Sequence, residues 1–101
     1  MTDAYVSTHW RVQNGREDEF VQMWREALTW TRESYGNALE HARLLRDDDD
    51  ASHFVSFLEW ANREVIDRWS DDPEKQQRQE ALEQLCTDVD GSSYAEATRV
   101  G

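Results

Sequence analysis

One cysteine, Cys86, is the whole thiol inventory of this chain, so no disulfide can close within it. Together with only three histidines it supplies no paired spacing of the Cys-x-x-Cys kind, so a metal is not expected. Basic residues are also scarce. Lys and Arg total 11 against 22 Asp and Glu, and a net charge of -11 repels phosphate backbones and anionic lipid surfaces. Nucleic acid and membrane are therefore excluded as ligands, and a neutral or apolar small molecule is favoured. No apolar run approaches the roughly 18 residues of a membrane span, and no charged, apolar, small-residue leader opens at Met1-Thr2-Asp3. A cytoplasmic location is the expectation.

With 101 residues the chain is read as one domain, residues 1–101. A domain of this size buries only about 60–65% of the surface its unfolded chain exposes, so a partner would help it.

What is present in abundance is aromatic strand pattern. Phe54, Ser56, Leu58 and Trp60 alternate with Val55 and Phe57, apolar on both sides, so a strand there needs cover on both faces. Upstream, Tyr5 to Val12 alternates as a first strand, with Val6, Thr8, Trp10 and Val12 on one face and Tyr5, Ser7, His9 and Arg11 on the other. Asn14-Gly15 turns the chain. Glu17, Asp18 and Glu19 then suit the positive end of a helix dipole, and the helix is expected to run to about Ser34 and stop at Gly36.

A second strand is expected over Ala38 to Arg46, a hairpin loop at Asp47 to Asp50, and a third strand from near Ser52. Asn62 is a fitting N-cap for a short helix Arg63 to Trp69, and Asp72-Pro73 opens another helix with a cap and a proline at its first position. Leu82, Leu85, Cys86 and Val89 are read as its buried side, with Gly91 as its stop and Tyr94 to Val100 as a fourth strand. The order is βαββαβ, which is the α+β ferredoxin-like arrangement: four antiparallel strands with helices on one face. Val55, Phe57, Leu39 and Leu45 are assigned to the other face, where leaving them in water would forfeit several kcal/mol at about 25 cal/mol per Å2. A symmetric homodimer with the two sheets facing each other follows as the expectation.

A set of segments in a particular order carries a further reading: Asn14-Gly15 before Glu17-Asp18-Glu19-Phe20, Arg43-Leu44-Leu45-Arg46-Asp47, Phe54-Val55-Ser56-Phe57 with Glu59-Trp60, Ile66 to Trp69, and the Ser70 to Pro73 turn. In these the chain resembles the antibiotic biosynthesis monooxygenase domains, a family of dimeric α+β barrels, over nearly its full length. The resemblance implies a fold, and it implies cofactor-independent oxidation of aromatic polyketides, haem degradation or an unassigned activity; fold alone does not choose among them.

Trp69 matches the tryptophan with which such oxygenases and haem degraders end the short helix. The strand asparagine of haem-degrading relatives is replaced by Thr8, and their iron-binding histidine, ten residues after the tryptophan, by Gln79. Haem cleavage is disfavoured. Where polyketide oxygenases carry an aromatic six residues after the tryptophan, this chain has Lys75. By this resemblance the chain is expected to act as a cofactor-free monooxygenase on a small aromatic or polyketide-like substrate. The alternative is a non-catalytic dimeric binding or accessory module, which the departures at Thr8, Lys75 and Gln79 favour. Trp69, with Trp10, would wall the substrate pocket, while Thr8 and Gln79 would point polar groups into it.

His9, His41 and His53 are the groups whose ordinary pKa lies near neutrality, and a histidine or a bound water is the candidate proton acceptor. Arg11 and Arg43 could hold an anionic oxygen, although pairing with the abundant carboxylates explains them more simply. The four aspartates fail the EF-hand pattern, since its glycine position is His53, and read as a solvated hairpin. Cys86 reads as a structural thiol, Trp24 and Trp60 as core, and Trp30 as the margin of the first helix's apolar arc.

Overall fold

A computed structural model describes residues 4–101; Met1-Thr2-Asp3, where a leader was judged absent, lies outside the described residues. The chain runs β1 (Ala4–Val12), α1 (Glu17–Tyr35), a 3-10 turn (Gly36–Ala38), β2 (Leu39–Asp47), β3 (Asp50–Trp60), α2 (Arg63–Ser70), α3 (Pro73–Glu83) and β4 (Cys86–Ala95). Every strand pair is antiparallel, in the order β2-β3-β1-β4. This is the ferredoxin-like α+β fold.

The helix starts are made by local chemistry. Asn62 Oδ1 accepts from the Val65 amide at 3.0 Å, and Asp72 Oδ1 accepts from the Glu74 amide at 2.9 Å, each satisfying a donor that the first helical turn leaves unpaired. Such a cap contributes about 1 kcal/mol. At the other end of α1, Gly36 takes φ 56° and ψ -134°, a backbone region open to glycine alone, and swings the chain into the 3-10 turn before β2.

Alternation along β1 and β3 sorts their side chains as expected: Thr8, Trp10, Val12, Phe54, Ser56, Leu58 and Trp60 are buried under the helices, while Phe57 on the other face is exposed. Leu39 departs from its assigned face. It is buried beside Trp60 on the helix side, because the β2–β3 register slips between Leu39 and His41 and reverses the parity of everything after it. Leu45, beyond the slip, does face outward. The hairpin is tighter than read, since Asp47 pairs with Asp50 and only Asp48 and Asp49 form the turn.

The C-terminal third differs most. The last helix ends at Glu83, closed by bonds from the Gln84 amide to Glu80 and from the Leu85 amide to Leu82, and residues Cys86–Ala95 are strand. Gly91 is therefore not a helix stop; it lies inside β4, opposite Thr8, while Val89 pairs with Trp10. A ladder to a strand more than seventy residues earlier has overridden the local apolar spacing. Leu82 and Leu85 are buried as expected, whereas Cys86 and Val89 are only half-buried.

Two core clusters lie between helices and sheet. One gathers Leu58, Trp60, Val65, Ile66 and Trp69 under α2; the other gathers Trp10, Phe20, Phe54, Leu82 and Leu85 under α1 and α3. They meet at a polar seam, where Thr8 of β1 pairs with Ser56 of β3.

Candidate functional site

At that seam lies a void of about 40 Å3, bounded by Val6, Thr8 and Trp10 of β1, Ser56 and Leu58 of β3, Trp24, Ala27, Leu28, Trp30 and Thr31 of α1, Trp69 of α2, and Lys75, Arg78, Gln79 and Leu82 of α3. Thr8, Thr31 and Ser56 are the buried polar side chains among the described residues, and all three border it. Burying a hydroxyl costs free energy unless it is hydrogen-bonded, and two of the three have partners within the chain. Ser56 Oγ accepts from Trp10 Nε1 at 3.0 Å, and Thr31 Oγ1 donates to the Ala27 carbonyl at 2.8 Å; both hydroxyls keep further lone pairs.

The void alone has room for a few waters, at roughly 10–15 Å3 each by this measure. A bicyclic aromatic does not fit inside it. Beside it opens a cleft of about 390 Å3 between α2, α3 and β4, with Val89, Gly91 and Ser93 of β4 on its floor. Val6, Thr8, Trp69, Lys75 and Gln79 line both spaces, so these five side chains form the partition between them. A volume of 390 Å3 lies in the range of small-molecule sites, roughly 300–1,000 Å3.

Trp69 stands at the centre of this partition. Its ring packs 5.1 Å from that of Trp60, and the Lys75 ammonium sits 4.5 Å from its centroid. Its indole N–H is buried without a protein acceptor. Trp60 Nε1 shares that lack and borders neither space, so the orphan donor by itself does not single out a ligand contact. Desolvation lowers the Lys75 pKa from its ordinary value, with Glu83 opposing weakly. Arg78 lies over the Trp30 ring at 5.5 Å, and its Nε is 2.9 Å from Glu74 Oε2, close enough to pair but not aligned as a hydrogen bond. Gln79 Nε2 donates to Glu83 Oε2 at 3.1 Å.

All four residues singled out from sequence, Trp69, Thr8, Trp10 and Gln79, border the same void, and three of them border the cleft as well. Trp24 and Trp30 also reach the void, the former read as core and the latter as margin. Sequence reasoning treated Lys75 only as a departure and passed over Arg78, Ser56 and Thr31. The signal for the two cations was available: Lys75, Arg78, Gln79 and Leu82 stand at i, i+3, i+4 and i+7, one face of a helix.

No histidine borders the void or the cleft. His9 and His53 stack on the outer face of the sheet, with 2.9 Å between His9 Nδ1 and His53 Nε2, and His53 Nδ1 is 2.9 Å from Asp47 Oδ2. His41, paired with Glu59, is exposed on the same outer face. Arg11 pairs with Asp50 at 3.3 Å, away from the site, and Arg43 is exposed on β2. Cys86 Sγ donates to the Leu82 carbonyl at 3.4 Å, and burial pushes its pKa up to about 11, which leaves it little nucleophilic. Among the described residues no group of three His, Cys, Asp or Glu side chains is placed to share a metal ion.

The family model for antibiotic biosynthesis monooxygenase matches residues 4–81. No functionally curated protein matches the chain. Among solved structures, SnoaB from Streptomyces nogalater, a cofactor-independent oxygenase, superposes with a TM-score of 0.85 at 16% identity over 99% of this chain and 98% of its own. A Deinococcus radiodurans protein, itself only provisionally assigned as an antibiotic biosynthesis monooxygenase, gives a TM-score of 0.84 at 16% identity, covering 97% of this chain and 96% of that one. A conserved protein from Methanosarcina mazei gives a TM-score of 0.83 at 11% identity over 95% and 94%. At these identities the likeness is one of fold.

Proposed function

The chain belongs to the antibiotic biosynthesis monooxygenase family, and on that premise we propose that it is a cofactor-independent monooxygenase that oxidises a small aromatic or polyketide-like substrate with O2. The observation that carries this reading is the convergence of every buried polar side chain among the described residues on one tryptophan-walled seam that adjoins a ligand-sized cleft. Trp69, Trp10, Thr8 and Gln79 are the residues we assign to the substrate pocket. SnoaB, named a cofactor-independent oxygenase, is a precedent for that chemistry on the same fold.

In such a reaction an activated CH2 or CH of the substrate loses a proton, and the resulting carbanion reduces O2 directly. For a methylene flanked by aromatic rings the balance closes as CH2 plus O2 giving C=O plus H2O, with all four electrons drawn from the substrate. What the protein supplies is a dry cavity, stabilisation of the developing oxyanion, and a proton acceptor. With no histidine in the site, the acceptor is a bound water or a side chain of the partition. Oxygen uptake that begins on adding an anthrone or a dihydroxynaphthalene to metal-free, flavin-free protein is the expected result. A silent panel overturns this reading.

One observation favours a second reading. The inner void holds only a few waters in this closed arrangement, as a non-catalytic binding module that carries its ligand in the outer cleft would require. Saturable binding in calorimetry with no oxygen consumption separates the two.

We further propose that residues 1–101 act as one domain in the cytoplasm and as a homodimer. Supporting the dimer, Leu45, Phe57 and Tyr94 are 50%, 42% and 56% exposed on the sheet face opposite the helices, with Val55 between the first two. No helix among the described residues is long and apolar enough to cross a membrane.

A further inference from the structure

The void at the seam is lined by two cations and no carboxylate, in a chain where acids outnumber bases two to one. Both cations come from one face of α3, three residues apart, and each lies against a tryptophan ring that walls the same space. Arg78 has a carboxylate neighbour in Glu74, one turn back on α3, which does not itself line the void. Lys75 is within ion-pairing distance of no carboxylate among the described residues; its nearest acidic influence, Glu83, is engaged by Gln79. An ammonium held half-buried on an indole face, without a counter-ion, is left to be neutralised by whatever enters.

From this placement we propose that the site selects a flat aromatic carrying an acidic hydroxyl, a phenol or an enol, and binds it as its anion, with Lys75 on the ionised oxygen and Arg78 one turn along reinforcing the field. The ring would lie against Trp69, and the oxygen would take a charge-assisted hydrogen bond from Lys75 Nζ in a seam that excludes most water, where such bonds are at their strongest. The lowered Lys75 pKa agrees with this arrangement, because the penalty that lowers it is the one a bound anion would relieve. The selection deepens the oxygenase reading, on which it rests: a phenolate or enolate is the electron-rich form that can reduce O2, so the cations would set the population of the reactive species. The outer cleft, which carries Asp67 and Glu83 as well as Arg63, has no such bias, so selection belongs to the partition and not to the mouth.

The test uses 4-nitrophenol, whose anion absorbs at longer wavelength than its neutral form, so the spectrum of the bound probe reports its ionisation. Binding is followed by quenching of the tryptophans, with 4-nitrotoluene as the neutral isostere. In the wild-type chain the bound nitrophenol is expected to ionise about one pH unit or more below the free probe, a tenfold or greater preference for the anion. Lys75→Met should remove that shift and weaken 4-nitrophenol far more than 4-nitrotoluene, and Lys75→Arg should keep most of the shift. Arg78→Met should reduce it without abolishing it. A bound probe that titrates like the free one, a shift that survives Lys75→Met, or no saturable binding of 4-nitrophenol overturns the proposal. Because nitrophenol is a poor electron donor, this readout is independent of turnover. A site that ionises the probe while no hydroxyaromatic drives oxygen uptake keeps this inference and defeats the oxygenase; oxygen uptake with an unshifted probe does the reverse.

Discussion

Thr8 and Gly91 face each other across the β1–β4 ladder so closely that a Cβ at position 91 would stand 2.8 Å from Thr8 Oγ1 and 3.3 Å from its Cγ2. A glycine inside a strand normally weakens it, and here the absence of a side chain is what lets the edge strand lie against a residue that borders the void. Thr8 is β-branched and buried, so it cannot swing away without leaving its rotamer. Gly91→Ala is therefore expected to destabilise the fold by about 1–3 kcal/mol through overpacking. In a Thr8→Ala background the same change should be neutral or stabilising, because alanine is then the better strand residue. Urea unfolding of the four proteins of that cycle measures the coupling. Additive effects would show that position 91 tolerates a side chain regardless of Thr8.

Trp69 belongs to a core cluster and to the partition at once, and substitutions can separate these roles. Trp69→Ala should cost about 3–5 kcal/mol of stability, the range for removing a large buried aromatic. Trp69→Phe keeps part of the volume against Trp60 and should fold, yet it removes the wider face on which Lys75 and a flat ligand would stack. We expect that variant to lose about tenfold in ligand affinity, in line with aromatic stacking and cation–π contributions of about 1 kcal/mol each. Unchanged affinity in a folded Trp69→Phe chain removes Trp69 from the pocket.

The last turn of α1 is tied to the start of α3 by Tyr35, whose hydroxyl donates to Asp72 Oδ2 at 2.7 Å while the other oxygen of Asp72 caps α3. Burial, and then the neighbouring Asp72, push the Tyr35 pKa up from 10.0 to about 12. The Tyr35 hydroxyl in turn lowers the pKa of Asp72, followed by the Glu74 and Lys75 amides. The signs differ. Tyr35 contributes stability that is whole below its unfolded value near pH 10 and is lost as pH rises through about 12. Asp72 contributes stability present above its unfolded value near 3.8 and lost as pH falls through its lower folded value. Tyr35→Phe should therefore flatten the alkaline descent between about pH 10 and 12 and reduce the acid one, with denaturant midpoints across pH as the measurement. If the variant and the wild type descend in parallel above pH 10, the link between Tyr35 and Asp72 does not exist in solution.

How much of this was legible follows from the range of each interaction. The caps at Asn62 and Asp72 were readable because a cap is written within three residues of itself, and the alternation of β1 and β3 because a strand's two faces are printed every second residue. Leu39 was misplaced because a one-residue slip in pairing leaves no mark in composition. Val89 and Gly91 were drawn into a helix because Leu82, Leu85, Cys86 and Val89 do recur at helical spacing; only the distant pairing with Trp10 and Thr8 decides otherwise. Around the void, Trp69, Trp10, Thr8 and Gln79 are the residues that resemblance singles out. Lys75 and Arg78 were passed over because long cationic side chains on a charged helix are ordinarily solvated, and only tertiary packing lays them against Trp69 and Trp30.

The outer face of the sheet supplies the last prediction. Leu45 pairs with Val55 across β2 and β3, and Phe57 follows two residues along, so three apolar side chains form one patch, with Tyr94 exposed on the far edge strand beyond β1. Part of the rest of the face is internally paired, His9 with His53, His53 with Asp47 and Arg11 with Asp50, while His41, Arg43, Asp88 and Asp90 are exposed beside them. Polar groups already matched to one another lose little when a second copy covers them, whereas the apolar patch gains about 25 cal/mol per Å2 removed from water. A stable interface needs roughly 1,000 Å2 or more in total, an area within reach of two four-stranded sheets laid face to face. Phe57→Glu buries a charge in such a two-fold interface while leaving the inner core untouched, so the folded chain should persist and the dimer should not. Sedimentation at micromolar concentration is expected to return the mass of two chains for the wild type and of one for the variant, with far-ultraviolet circular dichroism unchanged between them. A wild-type chain that sediments as a single copy, or a Phe57→Glu variant that keeps the doubled mass, rules out this face as the dimer surface.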